Sequence, residues 1–516
     1  MELKKQNLHM EKIFPVTSSQ LVLDEDFIIP DSKTDVISIL LEKGDVVLED
    51  VRVMEQHITV RGKLFYSVLY KADSSTCSLC SLSGAFPFEE NLFMDGIQSL
   101  DSIQTDLALE DLSVNIINSR KLNLRCLIDI SARKTQIYDE ELPTDFQSDS
   151  AVESHYETEE LLELSVLKKD VCRIREEAEL PKNYPNIQNI LWSQVFPGDL
   201  EIVPEEGQLS VKCDLQVFVL YQGEGDDNPI LGYDFSIPYN SKMECTGSNS
   251  AMIPFINHTI SHCSLEARPD YDGEQRVLGL DMVMDMNIRL YEEKSVTLLA
   301  DVYGIERDYS CETHPSGLKK LCVSNNSLYK LSGKFAHDGD APPILQLCHS
   351  CGHIQTDEPV VCEEGLKICG ALSLQILYVT GRDDAPYYSV NQAIPFCHTI
   401  EVPNISQQSE INVQNTLDKL SISLSNEGEI EVRASICFKT FVCENLTCDI
   451  ISDISESPIR PEIINNLPGA VIYFVKEGDT LWNIGKRYYV PVSSIRQQND
   501  LTGDRIYPGD RLIIVK

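Results

Sequence analysis

The sequence predicts a mainly β protein: three repeated β-rich units of sandwich or barrel type, followed by a small α+β module of βααβ order. Three observations lead there. Apolar and polar residues alternate with period two through most of the chain. A set of landmarks recurs at intervals of about 150 residues. After residue 470 the apolar spacing becomes that of amphipathic helices. At 516 residues the chain has room for three to five domains of about 100–200 residues each. Its 42% hydrophobic content is enough to give each a core.

The landmarks define the repeat. Gly62 to Tyr70, Val211 to Tyr221 and Ile368 to Tyr378 are strand-like runs that each end in Leu-Tyr. Each is followed by a proline-centred tripeptide, at Pro87, Pro238 and Pro395, always 17 residues after the tyrosine. A proline inside a strand loses a ladder hydrogen bond, so these three belong at an edge or a strand start. Pro30 before Asp35-Val36 matches Pro181 before Asn186-Ile187, while Pro342-Pro343 fits this landmark only loosely. Late strands recur at Leu122 to Ile130, Val277 to Ile288 and Ile430 to Phe438. Short helical pieces are expected at 34–41 and 187–191, after the proline turns.

The units are placed at 15–140, 160–300 and 320–448, with a linker at 449–469 and the last module at 470–516. Residues 147–163, 308–320 and 451–468 are polar, acidic or proline-rich, and are expected to be linkers.

The formal charge is −38. Residues 471–516 carry seven Lys or Arg against five Asp or Glu, so the acidity lies wholly in the preceding 470. Such a surface repels polyanions, which argues against nucleic acid and anionic membrane surfaces as partners. No secretory leader and no run of 18 apolar residues is visible, so neither export nor direct membrane insertion is expected, and the cytoplasm is the expected location. The 17 cysteines are therefore expected to be reduced, with Cys126, Cys213, Cys369 and Cys437 packing as small apolar groups.

The last module reads as strand, helix, helix, strand. Tyr473-Phe474-Val475 is a strand, Gly478 turns the chain, and Asp479 or Thr480 caps a helix. Leu481, Trp482, Ile484, Gly485 and Tyr488 are expected to form its buried face, with Trp482 in the module's core. Ser493 is an expected cap of the second helix, and Leu512 to Val515 closes the pair of strands.

These residues resemble the LysM domain: Gly478-Asp479-Thr480-Leu481-Trp482-Asn483-Ile484, Asn499, Ile506-Tyr507-Pro508-Gly509 and Leu512-Ile513 carry the likeness. Gly485 departs from it, standing where the family usually has Ala. LysM domains bind N-acetylglucosamine polymers in a shallow groove. The resemblance implies a groove here at Gly478, Asp479, Thr480, Leu481, Asn499, Leu501, Ile506, Tyr507 and Pro508. Gly478, Asp479 and Pro508 equally suit turn and cap geometry alone. The upstream repeats resemble the SPOCS domain of clostridial sporulation proteins, through the Leu-Tyr strand ends, the three proline tripeptides, Asp35-Val36 and Asn186-Ile187. SPOCS repeats with a terminal LysM resemble spore-envelope morphogenesis proteins of the mother cell. That likeness implies a non-catalytic scaffold whose LysM binds the ATPase that polymerises as the coat basement layer. The alternative is a protein that binds N-acetylglucosamine polymer in peptidoglycan. Trp482, Tyr473, Tyr488 and Tyr507 are candidate aromatic anchors for a partner.

Other chemistry finds little footing. Cys348, Cys351, His353 and Cys362 have the residue types of a zinc site, but the other two repeats lack them, so the fold does not require one. Cys77-Ser78-Leu79-Cys80 has no thioredoxin-like setting. Phosphate loops, dinucleotide fingerprints, nucleophile elbows and zinc-protease motifs are missing, so no enzyme activity and no cofactor is expected.

Overall fold

The computed structural model describes residues 1–73, 78–225, 228–336, 341–382, 385–425, 428–460 and 467–516. The first repeat contains β1 (Glu2–Ile13), β2 (Thr17–Ile28), β3 (Val36–Met54), β4 (His57–Ala72), β5 (Leu79–Phe93), β6 (Ser102–Asn118) and β7 (Lys121–Gln147). The second contains β8 (Val152–Glu179), β9 (Ile187–Pro197), β10 (Glu201–Glu205), β11 (Gln208–Gly223), β12 (Ile230–Glu244), β13 (Ile253–Pro269) and β14 (Gln275–Gly304). The third contains β15 (Arg307–Ala336), β16 (Ile344–Thr356), β17 (Val360–Cys362), β18 (Gly365–Thr380), β19 (Tyr387–Ile400), β20 (Glu410–Leu424) and β21 (Glu429–Pro458).

Every repeat is a sandwich of two antiparallel sheets. One sheet centres on β4, β11 or β18, and the other on β7, β14 or β21. Period-two alternation turns one face of each central strand inward. In the first repeat Ile58, Val60, Leu64 and Val68 meet Leu122, Leu124, Ile128 and Ile130. The second packs Leu209, Val211 and Leu215 on Met282, Met284 and Ile288. The third packs Ile368, Leu372 and Leu374 on Val432, Ile436 and Phe438.

The repeated landmarks acquire physical reasons. Tyr70, Tyr221 and Tyr378 are fully buried. Their hydroxyls donate to the carbonyls of Thr34, Pro185 and Pro342, at 3.1, 3.2 and 3.1 Å. Each tyrosine reaches back 36 residues to pin the turn that opens its repeat. Pro342 of the third repeat thus takes the place of Thr34 and Pro185, four residues on from the position of Pro30 and Pro181. Pro87, Pro238 and Pro395 lie on β5, β12 and β19, all edge strands, where a missing N–H interrupts no second ladder.

Two expectations fail. Residues 34–41 and 187–191 form no helix; they begin β3 and β9, paired with β4 and β11. Most of 147–163 and 308–320, and 451–458, are strand rather than linker. Their acidic side chains alternate with apolar ones, so a solvated face conceals a buried one. Residues 461–466 of the expected spacer lie outside the described residues, as does Cys77.

These strands extend each sandwich into a two-stranded ribbon. β1 pairs with the second half of β7, from Glu2↔Gln147 to Ile13↔Thr135. The first halves of β8 and β15 pair likewise with the second halves of β14 and β21. The three ribbons converge on one apolar cluster, with Leu8, Met10 and Leu142 from the first, Leu161 and Val296 from the second, and Leu318 and Ile450 from the third.

Beside this cluster the repeats join in a closed cycle. Gln104↔Arg133, Phe255↔Arg289 and Asn412↔Phe441 are equivalent register pairs in the three repeats. Arg289 donates to Gln104 at 3.0 Å, Arg133 donates to Asn412 at 3.4 Å, and the Phe441 ring lies 5.1 Å from that of Phe255. The second repeat thus grips the first, the first the third, and the third the second. Arg289 also holds Glu11 in a bidentate pair, at 2.9 and 3.1 Å, and the Tyr291 hydroxyl donates to the same carboxylate. Glu11 and Arg289 are 2% and 3% exposed.

Cys369 and Cys397 face each other across β18 and β19 and are joined as a disulfide, which corrects the expectation that Cys369 is a reduced thiol. No helix among the described residues is long and apolar enough to cross a membrane.

Removing one member of a buried ion pair strands the other charge, at a cost of about 3–5 kcal/mol. Arg289→Met is therefore expected to destabilise the body by that amount in urea unfolding. The double change Glu11→Leu with Arg289→Met should recover most of the loss. Arg133→Met, at a half-exposed joint, should cost about 1 kcal/mol.

Candidate functional site: the LysM groove and its mounting

The last module contains β22 (Ala470–Phe474), α1 (Leu481–Tyr488), α2 (Val492–Gln498) and β23 (Arg511–Val515). β22 and β23 pair antiparallel, from Ala470↔Val515 to Phe474↔Arg511. Tyr473, Val475, Leu481, Ile484, Val490, Ile495, Leu512 and Ile514 make its core.

Two loops flank the groove. In the first, Gly478 has φ +86° and so supplies the left-handed turn. Asp479 accepts from the Lys476 amide at 2.8 Å and from the Tyr473 hydroxyl at 2.7 Å. Thr480 caps α1, its hydroxyl oxygen accepting from the Asn483 amide at 3.1 Å. In the second loop, Asp510 accepts from the Tyr507 amide at 2.8 Å. Val475 stitches the loops together: its amide donates to Asp510 and its carbonyl accepts from Gly509. Ser493 makes no cap, because α2 begins behind Pro491 without a side-chain hydrogen bond.

The nine expected groove residues separate into three groups. Gly478, Thr480, Tyr507 and Pro508 are exposed on the two loops, and Tyr507 presents 60% of its surface. Asp479, Leu501 and Ile506 are half-buried beneath them. Leu481 and Asn499 are spent on structure. Leu481 is 1% exposed in the core. The Asn499 side chain clips the end of α2 to β23, donating to Ile495 and Ile513 carbonyls and accepting from the Ile513 amide.

The aromatic candidates also separate. Tyr473 and Tyr488 pack against each other inside the module, and Tyr507 faces solvent. Trp482 is not part of the module's core. It lies edge-on to Tyr303 at 4.7 Å, near His155, and its Nε1 donates to Asp301 at 2.8 Å. Lys486 joins the same carboxylate at 2.6 and 2.7 Å. The Tyr303 hydroxyl donates to the Val490 carbonyl at 2.9 Å. These are residues of β14 and β8, so the module is mounted on the ribbons.

Gly485 now has a reason. A Cβ there would stand 2.6 Å from the Tyr303 hydroxyl and 2.8 Å from the Val490 carbonyl. Glycine makes room for the ribbon. The sequence held a signal for this face: Trp482 and Lys486 are four apart, beside the buried Leu481–Ile484 stripe, and pair an aromatic with a cation. Among the described residues, the hydrogen bonds, ion pairs and ring contacts between module and body involve residues 482–492 and none of the groove positions before 482 or after 492.

The cysteine–histidine group does not converge. Cys348 and Cys351 lie on β16 but line different cavities, Cys348 beside Phe218 and Cys351 beside Trp192 and Gln375. Burial pushes both thiols up to about 11, away from the thiolate a metal needs. Among the described residues no three His, Cys, Asp or Glu are grouped to hold a metal ion.

The SPOCS-domain model of the SipL family matches residues 35–117, 186–268 and 343–425, and the LysM-domain model matches 473–515. The chain has a SipL-like architecture. SipL-type architecture is thus three SPOCS repeats and a C-terminal LysM, and both are non-catalytic binding domains. Their combination makes this a sporulation protein with a LysM of the peptidoglycan-binding class. The uncharacterized protein YkzQ of Bacillus subtilis (strain 168) is 50% identical over 38 residues, which are 7% of this chain and 51% of that protein. The chain therefore spans about half the length of that relative. No solved structure matches.

Asp301→Ala should free the module without unfolding it, since the module's core does not include Trp482. The expected sign is a red-shifted Trp482 emission in the fluorescence spectrum. Loss of these charge-assisted bonds should weaken docking by about 1–3 kcal/mol.

Hydrogen bonds from Tyr473 and the Lys476 amide hold the Asp479 carboxyl below the usual carboxylate range. A lowered folded value adds stability above the ordinary one, near pH 4, which is lost as pH falls through the folded value. Asp479→Asn should lower the module's thermal midpoint by a few degrees at pH 7. The difference from the natural chain should fade in the same melts as pH falls through the lowered folded value.

Proposed function

We propose that this chain is a non-catalytic scaffold of spore-envelope assembly, acting in the mother-cell cytoplasm at the forespore surface. Its LysM module captures the ATPase that polymerises as the coat basement layer, and so helps encase the forespore. One observation carries this reading. The module is fixed to the body through residues 482–492, while Gly478, Thr480, Tyr507 and Pro508 remain exposed around the groove. A module mounted this way presents its groove at a set orientation, which suits assembly onto a polymer better than a free tether does. Acidity fits the same role, since a body of net −40 avoids nucleic acid and anionic lipid.

A second reading rests on the LysM match itself: the groove takes an N-acetylglucosamine polymer. Affinity capture from sporulating cells distinguishes the two. The full chain should retain the ATPase, and a chain lacking residues 471–516 should lose it. Tyr507→Glu, a surface change, should weaken capture by roughly tenfold, the equivalent of about 1.4 kcal/mol. Unchanged capture by a folded Tyr507→Glu chain would refute the groove as the contact. Saturable pelleting with insoluble peptidoglycan, competed by chitin oligomers, would favour the sugar reading.

A further inference from the structure

A cavity of about 760 Å³ opens where all three repeats meet. This is within the usual range for ligand sites, about 300–1,000 Å³. Its walls combine Glu42 and Leu109 of the first repeat, Trp192 and Phe196 of the second, and Gln375 and His353 of the third. It is distant in sequence from the LysM module and draws no residue from it.

Two features inside it lack counterparts. Trp192 is 4% exposed, lines the cavity, and its Nε1–H finds no acceptor. A buried donor left unmatched costs about 1–3 kcal/mol. Glu42 is also inside, accepting only the Val114 amide at 2.8 Å. Burial pushes its carboxyl up to about 7, with Asp111 adding to the effect. At the mouth stand the exposed Glu110 and Asp111. Lys43, the cation of the lining, is already paired with Asp45 at 2.8 Å. Burial holds His353 below its ordinary value and so neutral. Among the described residues, Glu42, Glu110 and Asp111 have no ion-pair partner.

The cavity therefore asks for three things together: a cation for the carboxylates, an acceptor for the indole, and an aliphatic stem for Leu107, Leu109 and Leu112. A lysine side chain with its neighbouring peptide carbonyl supplies all three. We propose that this chamber docks a lysine-bearing extended segment of another protein, its ammonium at Glu42 and a backbone carbonyl on the Trp192 indole. The body's charge draws such a segment in, because all of the chain's net negative charge lies outside the LysM module.

The test is calorimetric titration of the full chain with acetyl-Ala-Lys-Ala-amide at about 0.15 M salt, where long-range attraction is screened. The norleucine analogue, which keeps the stem and loses the charge, is the control. One saturable site is expected for the lysine peptide and none for the analogue. Glu42→Gln should weaken binding by roughly tenfold, the equivalent of about 1.4 kcal/mol. Trp192→Phe, which keeps the ring and removes the donor, should weaken it by a smaller factor. If Trp192→Phe fails to fold, Glu42→Gln alone decides. Absence of saturable heat up to about 10 mM would overturn the proposal, being weaker than any useful site. Equal binding of both peptides, or binding unchanged in Glu42→Gln, would overturn it too.

Discussion

Each repeat pairs its opening segment, β1 and β2, β8 or β15, with its last strand, and that pairing continues past the sandwich. β1 with β7, β8 with β14 and β15 with β21 run on as ribbons. The sandwiches share a buried cluster of their own, with Leu41, Leu69, Trp192, Phe218 and Leu377 among its members, and the overrun adds a second. With it they bury a common apolar cluster, and the cycle Arg289–Gln104, Arg133–Asn412, Phe441–Phe255 closes beside it. The far end of the ribbons then provides the seat for the LysM module, at Asp301 and Tyr303. Axis and mounting thus follow from one extension of strand pairing.

The ribbons also let a strongly acidic chain stay compact. Their outer faces carry the Glu and Asp residues, while Leu161, Leu318 and Ile450 face inward. Like charges are dispersed over extended strands in high dielectric, where each repulsion is weak. The matched SPOCS spans begin at 35, 186 and 343 and end at 117, 268 and 425, so most of the ribbon length lies outside them. The matched spans hold the first sheet of each sandwich and one strand of the second, β6, β13 or β20; the central strand of the second sheet, β7, β14 or β21, lies beyond them.

Much of the fold was legible because its landmarks answer to geometry. The Leu-Tyr ends recur since one buried hydroxyl must reach the opening turn, and the prolines recur since an edge strand tolerates them. The ribbons were illegible for a reason equally physical: residues such as 147–163 are so rich in Glu and Ser that their apolar alternation passes for a linker. The brief runs at 34–41 and 187–191 were too short for periodicity to separate helix from strand. At the site, the two loops and the Thr480 cap could be read from turn chemistry. Trp482 could not, because a half-apolar helix face suits a core and a mounting surface equally well. Leu481 and Asn499 belong to the LysM pattern, but as packing and as a clip between α2 and β23.

The three joints of the cycle are chemically unlike: a buried ion pair with a side-chain amide, a guanidinium on an amide, and two phenyl rings in tilted contact. Three similar units in one polypeptide invite exchange, either between neighbours in the same chain or with another copy during synthesis. An arginine cannot take the place of Phe441 against Phe255, nor can a phenyl ring satisfy Glu11. Mismatched joints would strand a charge or an amide in the interior, so each unit can be seated beside only one neighbour on each side. The departure from threefold sameness is therefore what lets a threefold body assemble in a single order.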